Sequence, residues 1–146
     1  MGRKIGDMSK SNNYHEDRHP IVLVVDDNAA IRDMVSWALE LDGYEPAEAA
    51  EGYEALAWMV NASREGRFPN VILLDLAMPG MDGQTFLKRL RAQWGDLHPR
   101  PSIIVITAGI TGPDAASLGV DCVIVKPFHV RDLLDEVRKL TTPSMA

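Results

Sequence analysis

At 146 residues the chain has the size of one compact domain, which buries roughly 68–70% of the surface its unfolded chain exposes, so one hydrophobic core suffices. A composition of 46% hydrophobic and 25% charged residues excludes collagen, coiled coil and wholesale disorder. Acidic residues outnumber basic ones 21 to 15, for a formal net charge of -6, so the basic footprint of direct nucleic-acid binding is missing.

Residues 1–19 mix Gly, Ser, Asn and both charge signs without apolar periodicity, which predicts a disordered leader ahead of a domain over 20–141 and a flexible tail over 142–146. No run approaches the roughly 18 consecutive apolar residues of a membrane helix, and no apolar core follows the basic N-terminal residues, so no membrane insertion is expected. The single cysteine, Cys122, lies in an apolar run and reads as a buried, inert thiol in a reducing cytoplasm.

Ile21-Val22-Leu23-Val24-Val25 is a continuous β-branched run of the kind buried on both faces, hence a first strand. Asp26-Asp27-Asn28 then offers cap residues, and Ile31, Met34, Val35, Ala38 and Leu39 recur with helical period before the stop signal Gly43. Residues 44–49, interrupted by Pro46, suit an edge strand, and Leu56, Met59 and Val60 mark the expected inward stripe of a second helix. Residues 71–74 form a third strand. After the turn Pro79-Gly80-Met81-Asp82-Gly83 comes a third helix with Phe86, Leu87 and Leu90 inward. Residues 103–106 and 122–125 read as two further buried strands, and Val130, Leu133, Leu134, Val137 and Leu140 define a last amphipathic helix.

Strands alternating with helices imply right-handed crossovers and an open, doubly wound α/β sheet of five parallel strands. In such sheets the functional crevice lies outside the carboxyl ends of the strands. The residues at those ends are Asp26 and Asp27, then Asp75, Thr107 and Lys126. Three carboxylates in one crevice repel each other unless protonated or held by a cation, and an all-oxygen site points to magnesium. Asp75 ends the central strand and is the expected nucleophile toward a phosphoryl group. Lys126 offers counter-charge and Thr107 a hydroxyl, with small Ala108 leaving room.

Taken together, Val24-Val25-Asp26-Asp27-Asn28, Asp75-Leu76-Ala77-Met78-Pro79-Gly80-Met81-Asp82-Gly83, Thr107-Ala108 and Lys126-Pro127-Phe128 resemble the receiver domains of bacterial response regulators, over about residues 20–141. The resemblance implies a flavodoxin-like fold with strand order 2-1-3-4-5, as in chemotaxis-type single-domain receivers. It implies an acyl-phosphate on Asp75 and magnesium, with manganese as a substitute, ligated by Asp27, Asp75 and the Ala77 carbonyl, with Asp26 contacting it through water. It also implies phosphate contacts from Thr107 and Lys126 and a cis Lys126-Pro127 bond. The partners implied are a sensor histidine kinase or histidine phosphotransfer protein and a downstream protein target. On this reading the chain is a signalling domain rather than an enzyme with a separate substrate, catalysing only its own phosphoryl transfer and dephosphorylation.

Two features depart from the family. Val123 stands where receivers usually have Tyr or Phe. The stretch between Thr107 and Lys126 is short, and Gly109, Gly112 and Pro113 leave only residues 114–118 for a fourth helix, which is expected to be short or absent. Ala77 and Gly109, flanking the crevice, bring no side-chain carboxylate or amide to orient water. Nothing but Thr141-Thr142-Pro143-Ser144-Met145-Ala146 follows the last helix, so a stand-alone receiver acting through a partner is expected. The alternative is a degenerate receiver serving as a phosphorylation-independent scaffold, which the intact Asp27, Asp75, Thr107 and Lys126 argue against. A phosphatase of the haloacid-dehalogenase type would want an Asp two residues after the nucleophile, where this chain has Ala77.

Overall fold

The computed structural model describes residues 19–78, 80–96, 100–108 and 115–141. The predicted leader up to residue 18, the tail over 142–146 and the loop over 109–114 lie outside the described residues.

In chain order the elements are β1 (Ile21–Val25), α1 (Ala29–Leu41), β2 (Glu45–Ala49), α2 (Gly52–Glu65), β3 (Val71–Asp75), α3 (Gly83–Trp94), β4 (Ser102–Thr107), α4 (Ala115–Leu118), β5 (Cys122–Val125) and α5 (Val130–Thr141). All strand pairs are parallel and the order across the sheet is β2-β1-β3-β4-β5, as the resemblance implies. Because strand side chains alternate between faces, each apolar run feeds two cores. Leu23, Val25, Ile72, Leu74, Ile103 and Val105 meet α2 and α3 through Ala55, Met59, Phe86, Leu87 and Leu90. Val22, Val24, Val71, Leu73 and Ile104 meet α1 and α5 through Val35, Leu39, Leu133 and Val137.

Caps set the helix limits. The Asn28 side chain accepts the Ile31 amide at 3.1 Å to start α1, and Gly43 follows its end at φ 92°, a left-handed conformation that costs glycine little. Pro46 sits in β2, which is an edge strand as expected.

Three expectations about burial need correction. On α1, Met34 is exposed while Val35, Ala38 and Leu39 are buried. At about 100° per residue, Met34 falls roughly 90° from the centre of that stripe. On α2 the buried face is Gly52, Ala55, Met59 and Ala62, with Leu56 and Val60 only half-buried. Small residues let this helix approach the sheet, so its inner face is less apolar in sequence than its flank. Strand β5 is not buried: Cys122, Val123 and Ile124 are half-buried and Val125 is exposed, because β5 has a neighbour on one side only and α4 spans just 4 residues. Cys122 is therefore half-buried rather than buried. Desolvation, reinforced by Glu136, still pushes its thiol up to about 11, which keeps it protonated and inert at neutral pH.

Candidate functional site

The sheet register sets the site. Val25 pairs with Leu74, so Asp26, one residue on, comes level with Asp75, the last residue of β3. Asp75 pairs with Ile106 and Thr107 with Val125, which puts Thr107 and Lys126 at the same rim. The Lys126 amide donates to the Thr107 carbonyl at 2.8 Å, continuing the β4–β5 ladder into the site. The Lys126-Pro127 bond is cis.

Asp26, Asp27 and Asp75 each bring a carboxylate oxygen within 4.8 Å of the others. Asp26 is 2% and Asp75 4% exposed, whereas Asp27 stands open at the mouth. Asp75 Oδ1 accepts the Ala77 amide at 3.0 Å, and Lys126 Nζ donates to Asp75 Oδ2 at 3.4 Å. Asp26 Oδ1 accepts the Asn28 amide at 2.8 Å; its buried Oδ2 has no hydrogen-bond partner and lies 3.9 Å from Lys126 Nζ. Burial raises the pKa of the Asp75 carboxyl, the Ala77 amide and Lys126 pull it down, and the Asp26 charge pushes it up again.

Among the described residues one ammonium, that of Lys126, faces three carboxylates, which leaves excess negative charge at this rim. An unsatisfied buried carboxylate oxygen in an all-oxygen donor set fits a hard divalent cation. Among the described residues Asp26, Asp27 and Asp75 are able to hold one, and Ala77 lies beside them through the hydrogen bond its amide donates to Asp75. Thr107, at the end of β4, is buried at the same rim. Gly109 lies outside the described residues.

The turn after Asp75 has a packing logic. Asp82 caps α3 by accepting the Thr85 amide at 2.8 Å. A Cβ on Gly83 would come within 2.7 Å of Leu76 Cα and 3.1 Å of the Asp75 carbonyl oxygen, so only glycine lets α3 begin directly against the end of β3. The Gly83 amide donates to the Leu76 carbonyl at 2.9 Å, closing the turn.

Sequence reasoning passed over Arg32. Its Nη1 donates to the Asp26 carbonyl at 2.7 Å and its Nε to Glu48 at 3.4 Å. The available signal was positional. A long cation one turn past an N-cap can fold back onto the last carbonyl of the preceding strand, since helical side chains lean toward the N-terminus.

The family model described as response regulator receiver domain matches residues 22–138. The DNA-binding dual master transcriptional regulator RpaA of Synechocystis is 35% identical over 128 residues, covering 83% of this chain and 48% of that protein. Response regulator MprA of Mycobacterium is 34% identical over 125 residues, covering 82% of this chain and 49% of that protein. The chain thus spans about half the length of these curated relatives. Among solved structures, chemotaxis protein CheY4 of Vibrio cholerae superposes with a TM-score of 0.70 at 35% identity, covering 84% of this chain and 98% of that one. Response regulator TrrA of Thermotoga maritima, solved in complex with magnesium and beryllofluoride, gives 0.67 at 31%, covering 83% and 98%. With the predicted strand order and the acidic rim both in place, the chain belongs to the response regulator receiver domain family of two-component signalling.

Proposed function

We propose that this receiver is phosphorylated on Asp75 and passes its state to a partner protein. The observation that carries the reading is the joint position of Asp75: its Oδ2 meets Lys126 at 3.4 Å while Asp26 and Asp27 stand within 4.8 Å. Asp26, Asp27 and Asp75, with the Ala77 carbonyl, would hold magnesium, or manganese in its place. Bound there, the cation lowers the repulsion between an anionic nucleophile and an anionic phosphate donor.

The chain's own residues supply the rest. The Ala77 amide fixes one Asp75 oxygen, which leaves Oδ2 as the attacking atom. Lys126 already lies against that oxygen and provides counter-charge for the phosphoryl group; Thr107 provides a hydroxyl at the same rim. Dephosphorylation of Asp75 proceeds without side-chain help from Ala77 or Gly109, both too short to orient water. The domain is taken as residues 20–141 and its setting as the cytoplasm, where Cys122 stays reduced.

The donor is a sensor histidine kinase or histidine phosphotransfer protein. In support, α1 begins at the acidic turn and turns Met34, Trp37 and Leu41 outward on one face, with Trp37 64% exposed. The downstream target is a protein. RpaA is described as DNA-binding, but this span of 146 residues carries a formal charge of -6, which suits relay through a partner rather than direct contact with DNA. Among the described residues no helix is long and apolar enough to cross a membrane.

Incubation with magnesium and acetyl phosphate is expected to add one phosphoryl group, labile to hydroxylamine, and Asp75→Asn to abolish it. Equal labelling of the Asp75→Asn protein by intact mass would refute the assignment of the nucleophile, and no labelling of the wild type would favour the scaffold reading. Trp37→Asp is expected to slow transfer from a cognate kinase roughly tenfold or more, as loss of a buried aromatic anchor does. Labelling by acetyl phosphate should stay unchanged in that variant; equal slowing with both donors would deny α1 a docking role.

A further inference from the structure

The turn that carries Asp26 and Asp27 is braced from outside the acidic cluster. Arg32 lies one helical turn past the cap, its amide donating to the Asn28 carbonyl at 3.0 Å. Its side chain runs back over the end of β1, where Nη1 donates to the Asp26 carbonyl at 2.7 Å and Nε to Glu48 Oε1 at 3.4 Å. Glu48 belongs to edge strand β2, in register with Val24. One guanidinium, with its side chain 18% exposed, therefore ties together the end of β1, the first turn of α1 and β2.

Such a brace answers a physical problem of the site. Three carboxylates crowded within 4.8 Å repel one another, and the turn bearing two of them would open to relieve that repulsion unless its backbone were held. Arg32 holds it by the Asp26 carbonyl and leaves the carboxylates unspent. A bare guanidinium beside a cation site would, however, oppose the incoming charge. Glu48 neutralises it, so the pair contributes a donor without net positive charge. A lysine could not do the same, because a point charge lacks the planar fork that reaches both acceptors at once.

We propose that Arg32 and Glu48 form a positioning pair that presets the Asp26–Asp27 turn for a divalent cation; this rests on the metal reading above. Outer partners of this kind typically contribute 10–100-fold to metal affinity, so Arg32→Met is expected to weaken magnesium binding about tenfold. Arg32→Lys, which keeps the charge but not the bridge, should fall between that variant and the wild type. Glu48→Gln, which leaves the guanidinium uncompensated, should also weaken binding, and more at low than at high ionic strength because Glu48 is 40% exposed.

The test is calorimetric titration of the full chain with magnesium chloride, paired with melting in EDTA and with Asp27→Ala as the control. Melting in EDTA reports a merely structural role, whereas the magnesium Kd reports positioning. A lowered melting temperature in Arg32→Met and Glu48→Gln with wild-type magnesium affinity would overturn the inference. If Arg32→Met fails to fold, Glu48→Gln and Arg32→Lys decide, and wild-type affinity in both overturns it equally. If Asp27→Ala alone loses magnesium, the metal site stands and the positioning pair falls. If Asp27→Ala binds as the wild type does, the metal reading itself is wrong. Weakened binding in all of these variants supports the pair.

Discussion

Strands β3 and β5 both deliver a residue to the site, Asp75 from the first and Lys126 after the second, yet they are built to different depths. All 5 residues of β3 are buried, with strands on both sides and Phe86, Leu87 and Leu90 of α3 over one face. Strand β5 has a neighbour on one side, 3 half-buried residues and an exposed Val125. The helix before it, α4, is too short to be stable alone, and it is held at its end by Arg91 of α3, whose Nη2 donates to the carbonyls of Leu118 and Gly119. Asp75 thus stands on the deep half of the sheet and Lys126 on the shallow half. On the function proposed above, Asp75 and its acidic neighbours keep a fixed geometry, and the shallow edge is where movement would disturb the least buried surface.

The largest test of this contrast is thermodynamic. Leu74→Ala on β3 is expected to cost about 2–5 kcal/mol in urea unfolding, the usual range for emptying a fully buried site. Val125→Ala on β5 should stay within about 0.5 kcal/mol, as exposed positions do. Comparable losses would erase the distinction between the halves.

Next in size is the effect of the cation. Magnesium at roughly 100 times its Kd should stabilise the fold by about 2.7 kcal/mol through linkage. The gain should vanish in Asp27→Ala and persist in Val125→Ala. A gain that depends on Val125 as much as on Asp27 would mean that the edge belongs to the metal site.

The smallest and most local effect concerns the shallow half. Residues 109–118 are expected to gain amide protection when a beryllofluoride phosphate mimic binds with magnesium, as an ordering of the low-stability edge. Residues 109–114 of that stretch lie outside the described residues, and 115–118 form α4. Hydrogen exchange that is equally fast in both states across this stretch would locate the response elsewhere.

Much of this was legible beforehand because it is written in local pattern. The apolar runs of β1, β3 and β4 gave their positions, and the cap residues Asp26-Asp27-Asn28 and the turn at residues 79–83 gave the neighbourhood in which α1 and α3 start, while the structure picked out Asn28 and Asp82 as the caps. The acidic residues after β1 and β3 and the lysine after β5 gave the rim. The pattern misled where burial depends on what lies across the sheet. Cys122-Val123-Ile124-Val125 is as apolar as a central strand, and only its place at the edge exposes it. On α2 the core face is carried by Gly52, Ala55 and Ala62, which no hydrophobic count would choose over Leu56.

By itself, then, the sequence determined which elements form, where the site lies along the chain and which residue types meet there, since periodicity, caps and turn glycines act over a few neighbouring residues. The tertiary structure decided what is set by contacts between distant residues. It brought Lys126 to Asp75 across 51 positions, left one buried oxygen of Asp26 without a hydrogen-bond partner and laid Arg32 between Asp26 and Glu48. Those outcomes follow from strand order and register, which bring together residues whose side chains carry no mark, in sequence, of the partner they will meet.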